Sequence, residues 1–220
     1  MPNEKRASVT AGLYNEHACW TVGCRYVVGI DEVGRGTLAG PVAAGAVCLP
    51  HDRDDLLTVL EGVRDSKQMT PRQRERLAEN IKQTAVSWAT GSATSREIDE
   101  HGIVRATLLA MNRAMSALDV QPDYLLLDSI KWDDLTHVPY QSMVRGDSLS
   151  LSIAAASVLA KVWRDDYMRQ LDDTIPHYNF GQHKGYGTVR HLAALRQHGA
   201  SAEHRRTFAP VRNLSGGVAV

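Results

Sequence analysis

Four carboxylates stand where apolar runs of the chain stop. Asp31 and Glu32 follow residues 26–30, Asp128 closes residues 123–128, and Asp147 lies just past residues 139–145. Taken singly, an acid at the end of a strand reads as a solvated turn residue. Taken together, four acids carried by rigid strands repel one another unless a divalent cation neutralises them. An all-oxygen donor set suits hard ions such as Mg2+ or Mn2+. Two such ions about 4 Å apart clamp the attacking and leaving oxygens of an in-line phosphoryl displacement. Asp31, Glu32, Asp128 and Asp147 are therefore candidates for one divalent-metal site, with the solvated-turn reading open for each alone.

Gly34-Arg35-Gly36 comes directly after the first acidic pair. Glycines there let backbone N–H groups approach a phosphate or sugar closely. With Gly40 they form G-x-G-x-x-x-G, one residue off the dinucleotide fingerprint, which keeps a nucleotide-dependent oxidoreductase as the weaker alternative. No phosphate-loop motif G-x-x-x-x-G-K-[ST] occurs. Tyr186 sits between two glycines in His183-Lys-Gly-Tyr-Gly187, where its ring either stacks on a sugar or base or packs down on the domain. Asp65-Ser66-Lys67 is a polar loop able to hold a phosphate, or simply a loop. No G-x-S-x-G elbow and no H-x-x-x-H pair is present, so nucleophilic hydrolase chemistry has no support. His17, Cys19 and Cys24 lack a fourth zinc ligand, and three cysteines do not suggest a disulfide framework.

These residues need elements to place them. Residues 26–30 read as a buried strand ending at Asp31-Glu32, 42–49 as a small-residue strand, and 85–93 as a third. Residues 51–61 read as loop or short helix. Thr70, Pro71 and Gln73 form a helix start with a capping box, and the helix runs to about Thr84 with Leu77, Ala78 and Ile81 inward. Val104, Leu108, Met111, Met115 and Leu118 recur at helical spacing. Strands at 123–128 and 139–145 follow, then a long helix over 152–171. Thr188 caps a last helix to about His198, with Val189, Leu192 and Leu195 inward. The expected fold is α/β, with a helical C-terminal part.

The chain has 220 residues, 43% hydrophobic and 23% charged, which fits one large domain and excludes disordered or fibrous classes. No apolar stretch is long enough to span a membrane, and the first twenty residues show no signal peptide. A soluble, cytoplasmic monomer is expected. Twenty-five basic and 25 acidic residues give zero net charge, unevenly spread. Between His177 and Arg212, Lys184, Arg190, Arg196, Arg205, Arg206 and Arg212 face Glu203 alone. Such a flank suits a phosphate backbone, and equally a solvated surface.

In order along the chain, Gly29-Ile-Asp-Glu-Val-Gly-Arg-Gly36, Leu38-Ala-Gly-Pro-Val42, Asp65-Ser-Lys67, Leu127-Asp128, Gly146-Asp147, Ala155-Ala-Ser-Val-Leu-Ala-Lys161 with Arg164-Asp165, His183-Lys-Gly-Tyr-Gly-Thr188 and 204–211 resemble the ribonuclease HII family. The resemblance spans residues 26–211 and implies a ribonuclease H-like mixed sheet flanked by helices. It divides the chain into an arm (1–25), a type 2 ribonuclease H domain (26–212, helical from about 177) and a tail (213–220). It implies metal-dependent cleavage of RNA in RNA/DNA hybrids, and incision 5′ to ribonucleotides in duplex DNA. Asp31, Glu32, Asp128 and Asp147 are then the metal-binding acids, with Mn2+ or Mg2+ as cofactor. Gly34, Arg35 and Gly36 are the readers of the 2′-hydroxyl, Tyr186 stacks on the next sugar, and Lys67 and Lys184 face the substrate. The chain departs from the family in Ser129, where glycine is usual after the aspartate. It departs also in Val33, in the loop Lys131-Trp-Asp-Asp134 with its extra acids Asp133 and Asp134, and in a short C-terminus.

Overall fold

The computed structural model describes residues 11–131 and 137–215; Asp133 and Asp134 lie outside them. The strands are β1 (Val27–Val33), β2 (Val42–Cys48), β3 (Ser87–Ala93), β4 (Tyr124–Asp128) and β5 (Tyr140–Met143). The first seven helices are α1 (Tyr14–Thr21), α2 (Leu56–Val59), α3 (Pro71–Thr84), α4 (Ser95–His101), α5 (Ile103–Ser116), α6 (Gly146–Leu149) and α7 (Leu151–Thr174). The C-terminal part holds α8 (Phe180–His183), α9 (Val189–His198) and α10 (Ala209–Ser215).

The sheet order is β3-β2-β1-β4-β5. β1 is central, antiparallel to β2 and parallel to β4, and β5 continues the parallel half. Apart from Asp31, Glu32 and Cys48, both central strands are built of Val, Ala, Gly and Ile because both faces are covered. The alanine-rich start of α7 lies over one face and α5 over the other. At Gly29 a Cβ would stand 2.2 Å from the Ser152 carbonyl carbon, so only glycine lets α7 approach β1 this closely. Ile30 and Leu125 are wholly buried on the α5 face, each contributing about 1.5–3 kcal/mol by leaving water.

The expected capping box is present. Thr70 Oγ1 accepts from the Gln73 backbone N–H at 3.3 Å, and the Gln73 side chain accepts from that of Thr70 at 2.9 Å. Leu77, Ala78 and Ile81 face inward as expected. Other expectations need correction. β1 does not end at Asp31-Glu32 but runs one residue further, to Val33, because Gly45, Ala44 and Ala43 of β2 pair with Asp31, Glu32 and Val33. Asp147 belongs to the first turn of α6, reached through Arg145 in the left-handed region at φ 60°. Helix α4 was not anticipated, although Thr94 and Glu97 form a capping box that signals it. Val189 is 86% exposed, and His191 takes the inward place beside Leu195.

The C-terminal helices pack on the segment that follows Gly36. Leu38 joins Leu195 and Val211, and Ala39 joins Met168, Tyr178 and Phe180. Ala39 also makes an isolated antiparallel bridge to His204. No helix among the described residues is long and apolar enough to cross a membrane.

Candidate active site

Register places the first two acids. Ile30 of β1 pairs with Leu127 of β4, so Asp31 and Asp128 come next on neighbouring parallel strands. Ile30 and Leu127 face the α5 side, and alternation turns both aspartates to the α7 side. The third acid arrives through a turn. The Gly146 N–H donates to Asp128 Oδ1 at 2.9 Å, holding the start of α6 and hence Asp147 against β4. Asp31, Asp128 and Asp147 each offer an oxygen, all within 4.8 Å of one another. Glu32 falls outside that trio, and its Oε1 meets Arg35 Nη1 at 3.3 Å. Glu32 Oε2 is buried with no hydrogen-bond partner among the described residues.

The electrostatics show unmet negative charge. Burial, then the neighbouring charges of Glu32 and Asp128, push the Asp31 carboxyl well above the usual carboxylate range, against a hydrogen bond from Ser157. Burial also raises Glu32, with Arg35 opposing. Burial, then Asp65 and Asp128, raises Asp147. Lys67 lies close enough to respond. Burial works against its charge, but Asp65, Asp31, Asp147 and Asp128 outweigh burial and raise it. The turn that carries Lys67 is fixed by Asp65 Oδ1, which accepts from the Lys67 N–H at 2.9 Å, and by Ser66 Oγ, 3.0 Å from Ser157 Oγ on α7. A buried donor set of oxygens alone, short of positive charge, fits a hard divalent cation. The described residues show no comparable group around His17, Cys19 and Cys24, all of whose cysteines are free thiols.

Ser129, the departure noted after Asp128, adopts φ 51°, a left-handed backbone that glycine takes without cost. Its hydroxyl donates to Asp128 Oδ1 at 3.0 Å, a hydrogen bond glycine could not make.

The glycine turn beside the acids is held from behind by two guanidinium groups, Arg164 of the family motif and Arg205 of the basic flank, whose role sequence reasoning did not assign. Gly34 sits at φ 89°, where a Cβ would meet Arg164 Nε at 2.2 Å. Arg205 donates to the carbonyls of Gly34, Arg35 and Gly40. Arg164 donates to the carbonyls of Pro41, Ala39 and Lys184 and to Thr37 Oγ1. Both side chains are wholly buried, and neither has a carboxylate ion pair among the described residues. Burial lowers Arg164 to about 10 and Arg205 to about 9. The carbonyls of the turn are thus drawn inward, and Arg35 and Gly36 remain exposed.

Tyr186 is 44% exposed, on the far side of the same turn. The Leu38 N–H donates to the Gly185 carbonyl at 2.8 Å and ties the two loops together. Lys184 is half-buried, and its Nζ donates to the Gly181 carbonyl at 2.6 Å and more weakly to that of Asp165 at 3.4 Å.

Comparison with known proteins agrees with this layout. The family model described as ribonuclease HII matches residues 28–211. A ribonuclease HII of Desulfitobacterium hafniense (strain DSM 10664 / DCB-2) is 48% identical over 204 residues, covering 93% of this chain and 76% of that protein. The crystal structure of the ribonuclease H2 from Pyrococcus horikoshii OT3 superposes with a TM-score of 0.73 at 26% identity, covering 86% of this chain and 97% of the other. The Bst ribonuclease HIII, solved in complex with Mn2+, shares the fold at 19% identity and a TM-score of 0.66, covering 90% of this chain and 72% of the other.

Proposed function

The chain belongs to the ribonuclease HII family, and on that footing we propose that Asp31, Glu32, Asp128 and Asp147 form its catalytic, metal-binding centre. The enzyme is a metal-dependent endonuclease that cleaves the RNA of RNA/DNA hybrids. The finer reading is that it also incises duplex DNA on the 5′ side of an embedded ribonucleotide, leaving 5′-phosphate and 3′-hydroxyl ends. One observation supports the metal centre: Asp31, Asp128 and Asp147 converge within 4.8 Å.

A divalent ion there, Mg2+ or Mn2+, supplies charge stabilisation of the phosphate and a more acidic bound water. Asp31, Asp128 and Asp147 would hold it, with Glu32 contributing its unpartnered oxygen. Lys67, exposed and facing the acids, would hold the phosphate that lies over them. Gly34, Arg35 and Gly36 would read the 2′-hydroxyl and its neighbouring phosphates through backbone groups, since Arg205 already takes up the carbonyls of Gly34 and Arg35 and Arg35 and Gly36 are exposed. Tyr186 would stack on the following deoxyribose, and Lys184 would add positive charge beside it. The enzyme is read as a cytoplasmic monomer.

The test is incision of a labelled DNA duplex carrying one ribonucleotide, beside an all-DNA duplex, with Mg2+, with Mn2+ and with a chelator. The expected result is one metal-dependent cut 5′ to the ribonucleotide and an intact DNA control. Cleavage of long hybrids alone would remove the single-ribonucleotide reading. Binding without any cut would make the chain a catalytically silent hybrid-binding module.

A further inference from the structure

Behind the Tyr186 turn lies a buried set of imidazoles that neither the metal site nor the glycine turn uses. His183, His191 and His204 are each at most 8% exposed, and none has a carboxylate hydrogen-bond partner among the described residues. Their protonation follows from the groups that can only donate. The Ser201 backbone N–H points at His204 Nδ1 at 3.1 Å, so that nitrogen accepts and the ring hydrogen sits on Nε2. His204 Nε2 lies 3.0 Å from His191 Nε2, which must therefore accept. The His191 hydrogen is left on Nδ1, which donates to the Tyr186 carbonyl at 2.9 Å. The Thr188 N–H is the second donor to that carbonyl, at 2.8 Å.

His183 closes the other side. The Gly185 N–H donates to its Nδ1 at 3.2 Å, and its Nε2 donates to the Tyr178 carbonyl at 2.7 Å. Its ring stacks on that of His191, with centroids 4.4 Å apart and planes 13° from parallel. One hydrogen per ring satisfies every contact; a second would set two N–H groups against each other between His191 and His204. Burial keeps the rings neutral, with His204 lowered to about 3 and His183 and His191 below the ordinary imidazole value.

Buried histidines that only fill a core have no need to end on a backbone carbonyl of the one exposed aromatic in the turn. We propose that His191 and His204 are positioning residues for Tyr186, a directional relay of hydrogen bonds that fixes its turn and so sets discrimination between a single ribonucleotide and a long hybrid. The inference rests on the stacking role given to Tyr186 above.

The test uses the full chain, with incision of a one-ribonucleotide duplex and of a long RNA/DNA hybrid measured side by side. His191→Phe keeps a ring but removes the donor, whereas His191→Asn places an amide N–H where Nδ1 stands. Losing one hydrogen bond to Tyr186 should cut the ratio of junction to hybrid cleavage about fivefold, or ~1 kcal/mol. His191→Asn should restore most of that ratio. Adding His191→Phe to Tyr186→Ala should lower the ratio no further than Tyr186→Ala alone. A folded His191→Phe with the wild-type ratio, beside a lowered ratio in Tyr186→Ala, overturns the relay and leaves the stacking role standing. An unchanged ratio in Tyr186→Ala overturns both. Should His191→Phe not fold, 15N imidazole spectra of the wild type decide. Hydrogen on Nε2 of His204 and Nδ1 of His191 supports the relay, and the opposite pattern overturns it.

Discussion

Arg205 Nη2 donates to the Gly34 carbonyl at 2.7 Å from a side chain that is wholly buried and has no carboxylate ion pair among the described residues. Its direct hydrogen-bond partners are the carbonyls of Gly34, Arg35 and Gly40, with the Phe208 ring 5.2 Å away and the Asp99 charge favouring the cation from farther off. The guanidinium fork suits this task because one rigid plane serves three acceptors, which an ammonium cannot match. Arg205→Lys is expected to leave at least one buried carbonyl without a donor and to cost ~2 kcal/mol of stability. Urea unfolding checks the stability. Single-ribonucleotide incision should fall more than unfolding accounts for, since the same fork shapes the Gly34–Gly36 turn; a loss explained by unfolding alone would make Arg205 a fold residue only.

Asp31→Asn should abolish cleavage and leave the chain folded. The substitution removes a buried negative charge that Glu32 and Asp128 already disfavour. Without divalent ions the variant should therefore melt at or above the wild-type temperature. A variant that melts far lower would show that the Asp31 carboxylate holds the fold together.

Ser129→Gly exchanges three small effects. It relieves a left-handed backbone worth about 1–2 kcal/mol, loses the hydroxyl bond to Asp128, and loosens the unfolded chain. These offset, so stability should move by less than ~1 kcal/mol, and cleavage should survive. A large loss of activity would mean that the Ser129 hydroxyl orients Asp128 for the reaction.

The three imidazoles predict a pH dependence of stability. His183, His191 and His204 all bind protons less readily folded than unfolded. Their contribution is fully present above the ordinary value of 6.5 and is lost as pH falls through each folded value, about 3 for His204. Each titrating ring should lower stability by ~1.4 kcal/mol per pH unit on acidification. Denaturation between pH 8 and about 4 measures this slope, and His204→Asn should remove one ring's share.

Much of the site is legible in the chain because its strands are short, apolar and end in acids. Residues 26–30 and 123–128 announce strands that carry Asp31 and Asp128, and Thr70-Pro71 with Gln73 announces α3. What strand patterns do not show is pairing. The continuation of β1 through Glu32 to Val33 depends on its pairing with β2. The roles of Arg164, Arg205 and His191 were illegible for another reason: charged or polar residues on helices and loops look solvated until another segment covers them. Their partners lie more than a hundred residues away for Arg164 with Pro41 and for Arg205 with Gly34. Val189 shows the converse, an apolar residue at the start of α9 that nothing covers.

The proposed metal centre requires Asp31, Asp128 and Asp147 to hold a divalent ion together. The most direct measurement is a Mn2+ titration followed by electron paramagnetic resonance, on the wild type and on Asp31→Asn, Asp128→Asn and Asp147→Asn. Saturable binding is expected for the wild type and at least about tenfold weaker binding for each variant, the factor that ~1.4 kcal/mol represents. Wild-type affinity in all three folded variants would contradict it.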